Sequence, residues 1–318
     1  MSSSTPWVVT GAAGYLGSYI VPRLLERGTP VVAIDDFSCG REEHLEPCRR
    51  NSALTVARLD IRNVEELRKL FERHRPAAVV HLAALHFIPA CMADPPRTVD
   101  VNVYGTQSVL SAARAAGVER FWFTSTGDVY VPDEKPHHES RSAIGPFNIY
   151  GLSKLLGEQL TALEARDRPS ASFVVGRLFN LYGPRETNPH FLPELLKQLR
   201  TDPNAALRLG SLWPKRDMVP VTDAAAAVID ALDAAPPGLT TVNVATGAAV
   251  SMQQILDVIG ELRGNPLHIE TDPAKVRPVE RAHLQADVTR LRELIGWTPH
   301  ADLRRGVAEL LAAELPRS

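Results

Sequence analysis

The 318-residue sequence predicts a doubly wound α/β fold, a parallel sheet with helices on both faces, joined to a smaller C-terminal α/β substrate domain. Three observations carry that expectation. A strand, a glycine turn, a helix and a second strand fill residues 7–35. Apolar runs and helical patterns then alternate as far as residue 178. The runs are apolar throughout, as strands buried on both faces are, and do not alternate with polar residues.

Trp7 to Thr10 is the first strand, Ser18 to Arg27 a helix closed by Gly28, and Val31 to Ile34 the second strand. Leu54 to Leu59 is strand-like, Val64 to His74 helical and Ala78 to Leu82 a buried strand. A long helix is expected over Val99 to Ala116, a strand over Phe121 to Ser125, a helix over Tyr150 to Arg166 and a strand over Ser172 to Leu178. Prolines at 184, 189, 193, 203, 214, 220, 236 and 237 then break the rhythm. The expected division is a cofactor domain over 1–175, rejoined by about 213–233, and a substrate domain over most of 176–318. The alanine-rich helix Asp223 to Asp233 reads as packed scaffold.

Composition is that of an ordinary globular chain, with 44% hydrophobic and 23% charged residues. A net charge of -2 excludes a global electrostatic case for nucleic acid or anionic membrane, so any anion site must be local. Three cysteines, Cys39, Cys48 and Cys91, show no CxxC spacing, so a reducing compartment is expected. No basic n-region precedes an apolar segment at the N-terminus, and no apolar run is long enough to span a bilayer. The expected location is cytoplasmic.

Between the first strand and helix lies Gly11-Ala12-Ala13-Gly14-Tyr15-Leu16-Gly17. Glycines let the backbone approach a pyrophosphate, and the helix N-terminus offers free N–H groups and a favourable dipole. Asp35 ends the second strand about 20 residues on, the spacing of the dinucleotide fingerprint of Rossmann-type sheets. Its carboxylate suits ribose hydroxyls and repels a 2′-phosphate, which favours NAD over NADP, with Arg41 close enough to count against that preference. Asp60 and Ile61 follow the third strand; Asp60 is read equally as an adenine contact or a helix N-cap.

The spacing GxxGxxG is followed in order by His81-Leu82-Ala83-Ala84, Asn102-Val103-Tyr104-Gly105-Thr106, Tyr150-Gly151-Leu152-Ser153-Lys154 and Arg177-Leu178-Phe179-Asn180. Across almost its whole length the chain resembles the extended short-chain dehydrogenase/reductases, the NAD-dependent epimerase/dehydratase family that acts on nucleotide-sugars. The resemblance implies that Gly11, Gly14, Tyr15, Leu16, Gly17, Asp35, Leu82, Ala83 and Ala84 hold NAD. It also implies a dimer formed through the helices near 99–116 and 150–166.

Tyr150 and Lys154 are four apart and share one helix face. A phenol of pKa ~10 is a poor base at neutral pH, but a nearby ammonium and the charge of NAD+ stabilise the phenolate. An isolated YxxxK is most often an ordinary amphipathic face; here it sits within an ordered motif set. Thr126 matches the family hydroxyl that bonds the reacting oxygen, with backbone capping as its other reading. Asp128 is the most informative position. Simple 4-epimerases of the family usually carry a small or uncharged residue there, whereas 4,6-dehydratases usually have Thr-Asp-Glu. This chain has Thr126-Gly127-Asp128, with an acid at the base position and none in the middle. Asp128 is expected to abstract an acidified C5 proton, or else to cap a turn.

Resemblance further implies that Asn180, Arg216 and Arg277 bind the substrate diphosphate, through forked guanidinium bonds in the case of the arginines, whose alternative is surface solvation. Leu192 is expected against the base or in the core, and His86 beside the nicotinamide ribose or the sugar. Cys91 aligns with a substrate-loop serine but reads better as a buried thiol. His86 has no partner at metal-ligand spacing, so no metal site is expected.

The function these readings predict is a redox-neutral nucleotide-sugar dehydratase. It oxidises C4, removes the C5 proton and eliminates water across C5–C6. Return of hydride to C6 gives a 4-keto-6-deoxy sugar and return to C4 leaves a 5,6 double bond; the resemblance implies the latter, a UDP-N-acetylglucosamine 5,6-dehydratase. The alternative is a UDP-hexose 4-epimerase. A non-catalytic NAD-sensing regulator is the third reading, opposed by the presence of Tyr150 and Lys154.

Overall fold

The computed structural model describes residues 5–202, 205–276, 280–299 and 302–315. In chain order, the first half comprises β1 (Trp7–Thr10), α1 (Gly17–Glu26), β2 (Val31–Asp35), β3 (Leu54–Arg58), α2 (Val64–His74), β4 (Ala78–His81), α3 (Ile88–Ala93), α4 (Pro95–Val99), α5 (Gly105–Ala115), β5 (Arg120–Thr126), α6 (Ile149–Asp167) and β6 (Ser172–Leu178). The second half comprises β7 (Asn180–Tyr182), α7 (Phe191–Thr201), β8 (Leu207–Leu209), β9 (Lys215–Pro220), α8 (Val221–Ala234), β10 (Gly238–Val244), β11 (Ala249–Ser251), α9 (Met252–Arg263), β12 (Ile269–Thr271), β13 (His283–Leu284), α10 (Thr289–Ile295) and α11 (Leu303–Glu314).

The main sheet has seven strands in the order β10-β6-β5-β4-β1-β2-β3, and every neighbouring pair is parallel. The order reverses between β1 and β4, so the connections leave their C-terminal ends toward opposite faces of the sheet and open a crevice. One apolar cluster packs α1 and α8 against one face, and another packs α2 and α5 against the other. A third, around Leu195, Leu256, Ile259 and Leu310, forms the core of the smaller C-terminal part. After residue 178 the chain returns to the main sheet through α8 and again through β10, which pairs with β6 from Gly238↔Ser172 to Val244↔Leu178. No helix among the described residues is long and apolar enough to cross a membrane.

The single helix expected over 99–116 is interrupted. Asp100–Tyr104 forms a wide π turn between α4 and α5, and it carries the buried Asn102 inward. The Asn102 carboxamide bonds both backbone groups of Leu85 and the Ser153 hydroxyl, tying the loop after β4 to α6. Periodicity reveals a helix but not such a bulge.

A buried ion pair holds α6 to the sheet. Arg177 on β6 donates to both Glu158 oxygens, at 2.9 and 2.7 Å, and both side chains are less than a tenth exposed. Ser125 and Tyr130 complete the network. Glu158→Ala leaves the guanidinium buried and uncompensated, so it is expected to cost about 3–5 kcal/mol in urea unfolding, a loss Ser125→Ala does not reproduce.

Candidate active site

All the predicted site residues that the structure describes border one cavity of about 1360 Å³. It runs from the crevice between β1 and β4 across the ends of β5 and β6 to α7 and β9. Arg277 lies outside the described residues.

At the cofactor end, Gly11 has φ 67°, and a Cβ there would sit 2.8 Å from the Ala83 nitrogen. The loop can therefore close over the end of β4 only with glycine at this position. Helix α1 begins at Leu16 with no side-chain cap, so its first-turn amides suit an anion. Asp35 accepts the Ala13 amide at 2.9 Å and the Phe37 amide at 2.8 Å, which fixes the acid against the loop. Burial raises its pKa, and these amide bonds oppose the rise. Asp60 does not cap α2, because Asn63 does; Asp60 is instead gripped by Arg62, whose hydrogen bonds lower its pKa. Beneath the loop, His81 bridges Thr10 and Thr106 at 2.7 and 2.9 Å, and burial pushes it down to about 3. A neutral imidazole can serve as donor to one hydroxyl and acceptor from the other.

At the catalytic end, Tyr150 and Lys154 stand on the first two turns of α6, whose N-terminus is capped by Asn148. Thr126, at the end of β5, accepts the Asp128 amide at 3.2 Å, which is its capping role, and hydrogen-bonds Tyr150. Lys154 is buried and donates to the Thr124 carbonyl at 2.9 Å. The expected lowering of Tyr150 by Lys154 is corrected here. Burial and the Asp128 charge raise the phenol well above its ordinary value, and only the Thr126 bond opposes them. Burial also pushes Lys154 down, to about 8.

On the sugar-nucleotide side, Asn180 on β7 is exposed to the cavity. Arg216 on β9 is not a surface arginine. It bonds Glu280 at 2.7 Å and the Arg281 carbonyl at 2.8 Å while lining the cavity. Leu192 lines the cavity too, but is 5% exposed and belongs to the third apolar cluster, so packing accounts for it as well. His86 lines the cavity beside Asn188. Cys91 is a buried thiol against the Leu85 carbonyl.

Sequence reasoning missed Arg281. Its buried guanidinium donates to the Gly127 carbonyl and the Asp128 carboxylate at 3.2 and 3.3 Å, and faces His137 Nε2 at 2.7 Å. Glu186 and His190, beside His86, were also missed. Arg281 finds Asp128 153 positions away, and Glu186 and His190, four apart, meet His86 about 100 positions away.

Residues 7–245 match the NAD dependent epimerase/dehydratase family. The chain belongs to that family. It is 33% identical to the UDP-glucose 4-epimerase of Mycolicibacterium smegmatis, over 95% of this chain and 96% of that protein. Identity to the Rhizobium meliloti UDP-glucose 4-epimerase is 31%, with 93% of each chain covered. The structure is similar to that of Thermus thermophilus UDP-glucose 4-epimerase in complex with NAD, with a TM-score of 0.84, 28% identity and 97% and 98% of the two chains covered. It also resembles the Thermotoga maritima UDP-glucose 4-epimerase with UDP-glucose, with a TM-score of 0.87, 26% identity and the same coverage.

As in other members of this epimerase/dehydratase family, the cofactor is NAD. The glycine at 11, the uncapped α1 and the acid at 35 fit it. When bound, NAD supplies a reversible hydride acceptor and a positive nicotinamide ring that favours the Tyr150 phenolate. Burial favours the neutral amine of Lys154. In the NAD-free protein its acylation by acetic anhydride is therefore expected to rise with a midpoint near pH 8 instead of 10.5, read by peptide mass spectrometry across a pH series.

Proposed function

We propose that the protein is a UDP-hexose 4-epimerase. The observation that carries this reading is the catalytic turn Thr126-Gly127-Asp128. A dehydratase needs an acid for the leaving hydroxyl and a free base for C5. At Gly127 even a Cβ would lie 3.2 Å from both Phe179 and Leu284, so the middle position has no room for an acid unless both neighbours move. Asp128 is ion-paired with Arg281, and a carboxylate held by a guanidinium is a weaker base. The names of the similar proteins support the same choice and favour it over the 5,6-dehydratase expectation.

In this mechanism Tyr150, held by Thr126, takes the proton from the sugar C4 hydroxyl and later returns it. Such a positioned acid–base group contributes about 10²–10⁴-fold. Asn180 and Arg216 hold the diphosphate while the 4-keto sugar turns its other face to the cofactor. Asp128 and Arg281 keep the turn in place and remove no carbon-bound proton.

The test is to incubate the enzyme with UDP-glucose and UDP-galactose in deuterated water and follow the sugar protons by NMR. Interconversion at C4 without C5 exchange is expected. Asp128→Asn should keep at least a tenth of the rate, whereas Tyr150→Phe should lose about 10²–10⁴-fold. Vinyl signals or a C6 methyl group, lost in Asp128→Asn, would establish a dehydratase instead.

We also propose a homodimer through α5 and α6. Leu152, Leu156 and Leu163 are exposed along α6 and Tyr104 in the turn that leads into α5, apolar groups of the kind helix–helix interfaces cover. Sedimentation should give twice the chain mass, falling to one chain mass in a Leu152→Glu/Leu156→Glu variant.

A further inference from the structure

The loop after β4 and the segment between β7 and α7 meet on the wall of the cavity. There His86, Glu186 and His190 each present a ligand-type atom, and the three atoms all lie within 4.8 Å of one another. Two imidazoles and one carboxylate form a donor set for a first-row divalent cation, with further positions left for other ligands. We propose that these three side chains form a binding site for a divalent transition-metal cation of the zinc type.

The hydrogen bonds around the three side chains support it. His86 gives one ring N–H to the Ala84 carbonyl, and its Nε2 faces the Asn188 amide nitrogen at 2.7 Å. That fixes the tautomer in which Nε2 carries the lone pair, as in metal-ligating histidines whose other nitrogen is bonded to a carbonyl. The Asn188 backbone amide donates to Glu186 Oε1 at 3.0 Å and orients the carboxylate. The ring centroids of His86 and His190 are 6.4 Å apart, and their planes are tilted by 34°.

The distances set the adjustment required. At the outer limit of 4.8 Å, a cation centred among the three atoms would lie about 2.8 Å from each, so the side chains must close by under ~1 Å to reach bonds of ~2.1 Å. Glu186 and His190 lie in the connection between β7 and α7, where such a shift disturbs no strand. The Asn188 carboxamide, after rotation, offers an oxygen as a fourth ligand. The inference does not depend on which sugar the enzyme converts or on whether it epimerises.

The test uses the tag-free full-length protein, stripped with chelator and dialysed, then titrated with Zn²⁺ and with Co²⁺. One equivalent of zinc per chain is expected by elemental analysis, with visible Co²⁺ absorption of a low-coordinate nitrogen and oxygen site. His86→Ala, Glu186→Gln and His190→Ala should each weaken binding at least tenfold, while His268→Ala leaves it unchanged. Circular dichroism checks that each variant is folded, and Glu186→Gln conserves the side-chain shape that the alanine variants remove. The proposal is overturned if the stripped protein binds no stoichiometric metal, or if binding survives all three substitutions. The cluster would then be a set of hydrogen-bonding groups only.

Discussion

Everything in the site is referred to the contact between the ends of β1 and β4, where Gly11 presses its bare Cα against the backbone of Ala83. The sheet order reverses at this point, and the connections from the two strands leave toward opposite faces. A side chain on residue 11 would wedge the loops open and lift the glycine turn away from α1. With the contact made, the crevice is narrow enough for backbone amides on one wall and the Leu82–Ala84 loop on the other to serve one ligand. Asn102 then carries the same alignment to α6 by bonding Leu85 and Ser153, so the cofactor loop and the catalytic helix share one rigid reference.

The catalytic turn shows how a local motif is modified by a distant residue. An acid at 128 suggests a base when the sequence is read alone. The fold sets Arg281 against it and packs Phe179 and Leu284 over the neighbouring glycine. The acid thereby becomes a latch on the turn, and its charge, felt at Tyr150, raises the phenol.

What was legible in the sequence divides along the same line. The strand Ser172–Leu178 and the helix Val64–His74 are found with the bounds their patterns predict, because burial on both faces and amphipathic spacing are local signals. The glycine loop, Asp35, Tyr150 and Lys154 were legible because each acts within one strand–turn–helix unit. Asp60 was ambiguous because two caps compete there, and the Arg62 pairing decides the matter. Arg281, Glu186 and His190 were illegible because their meaning lies in contacts across the fold: Arg281 reaches back 153 positions to Asp128, and Asn188, between the other two, reaches 102 positions to His86. The π turn at Asp100–Tyr104 was hidden because a single inserted residue barely alters a hydrophobic pattern.

The Asp128–Arg281 tie also has a bearing on biosynthesis. The cofactor-binding strands leave the ribosome first, and at about 5–20 residues per second the guanidinium follows the carboxylate by roughly 8–30 s. During that interval the nascent chain can assemble a dinucleotide cradle around an unlatched catalytic turn. The turn is therefore latched late, only when the segment that seats Arg281 has been made.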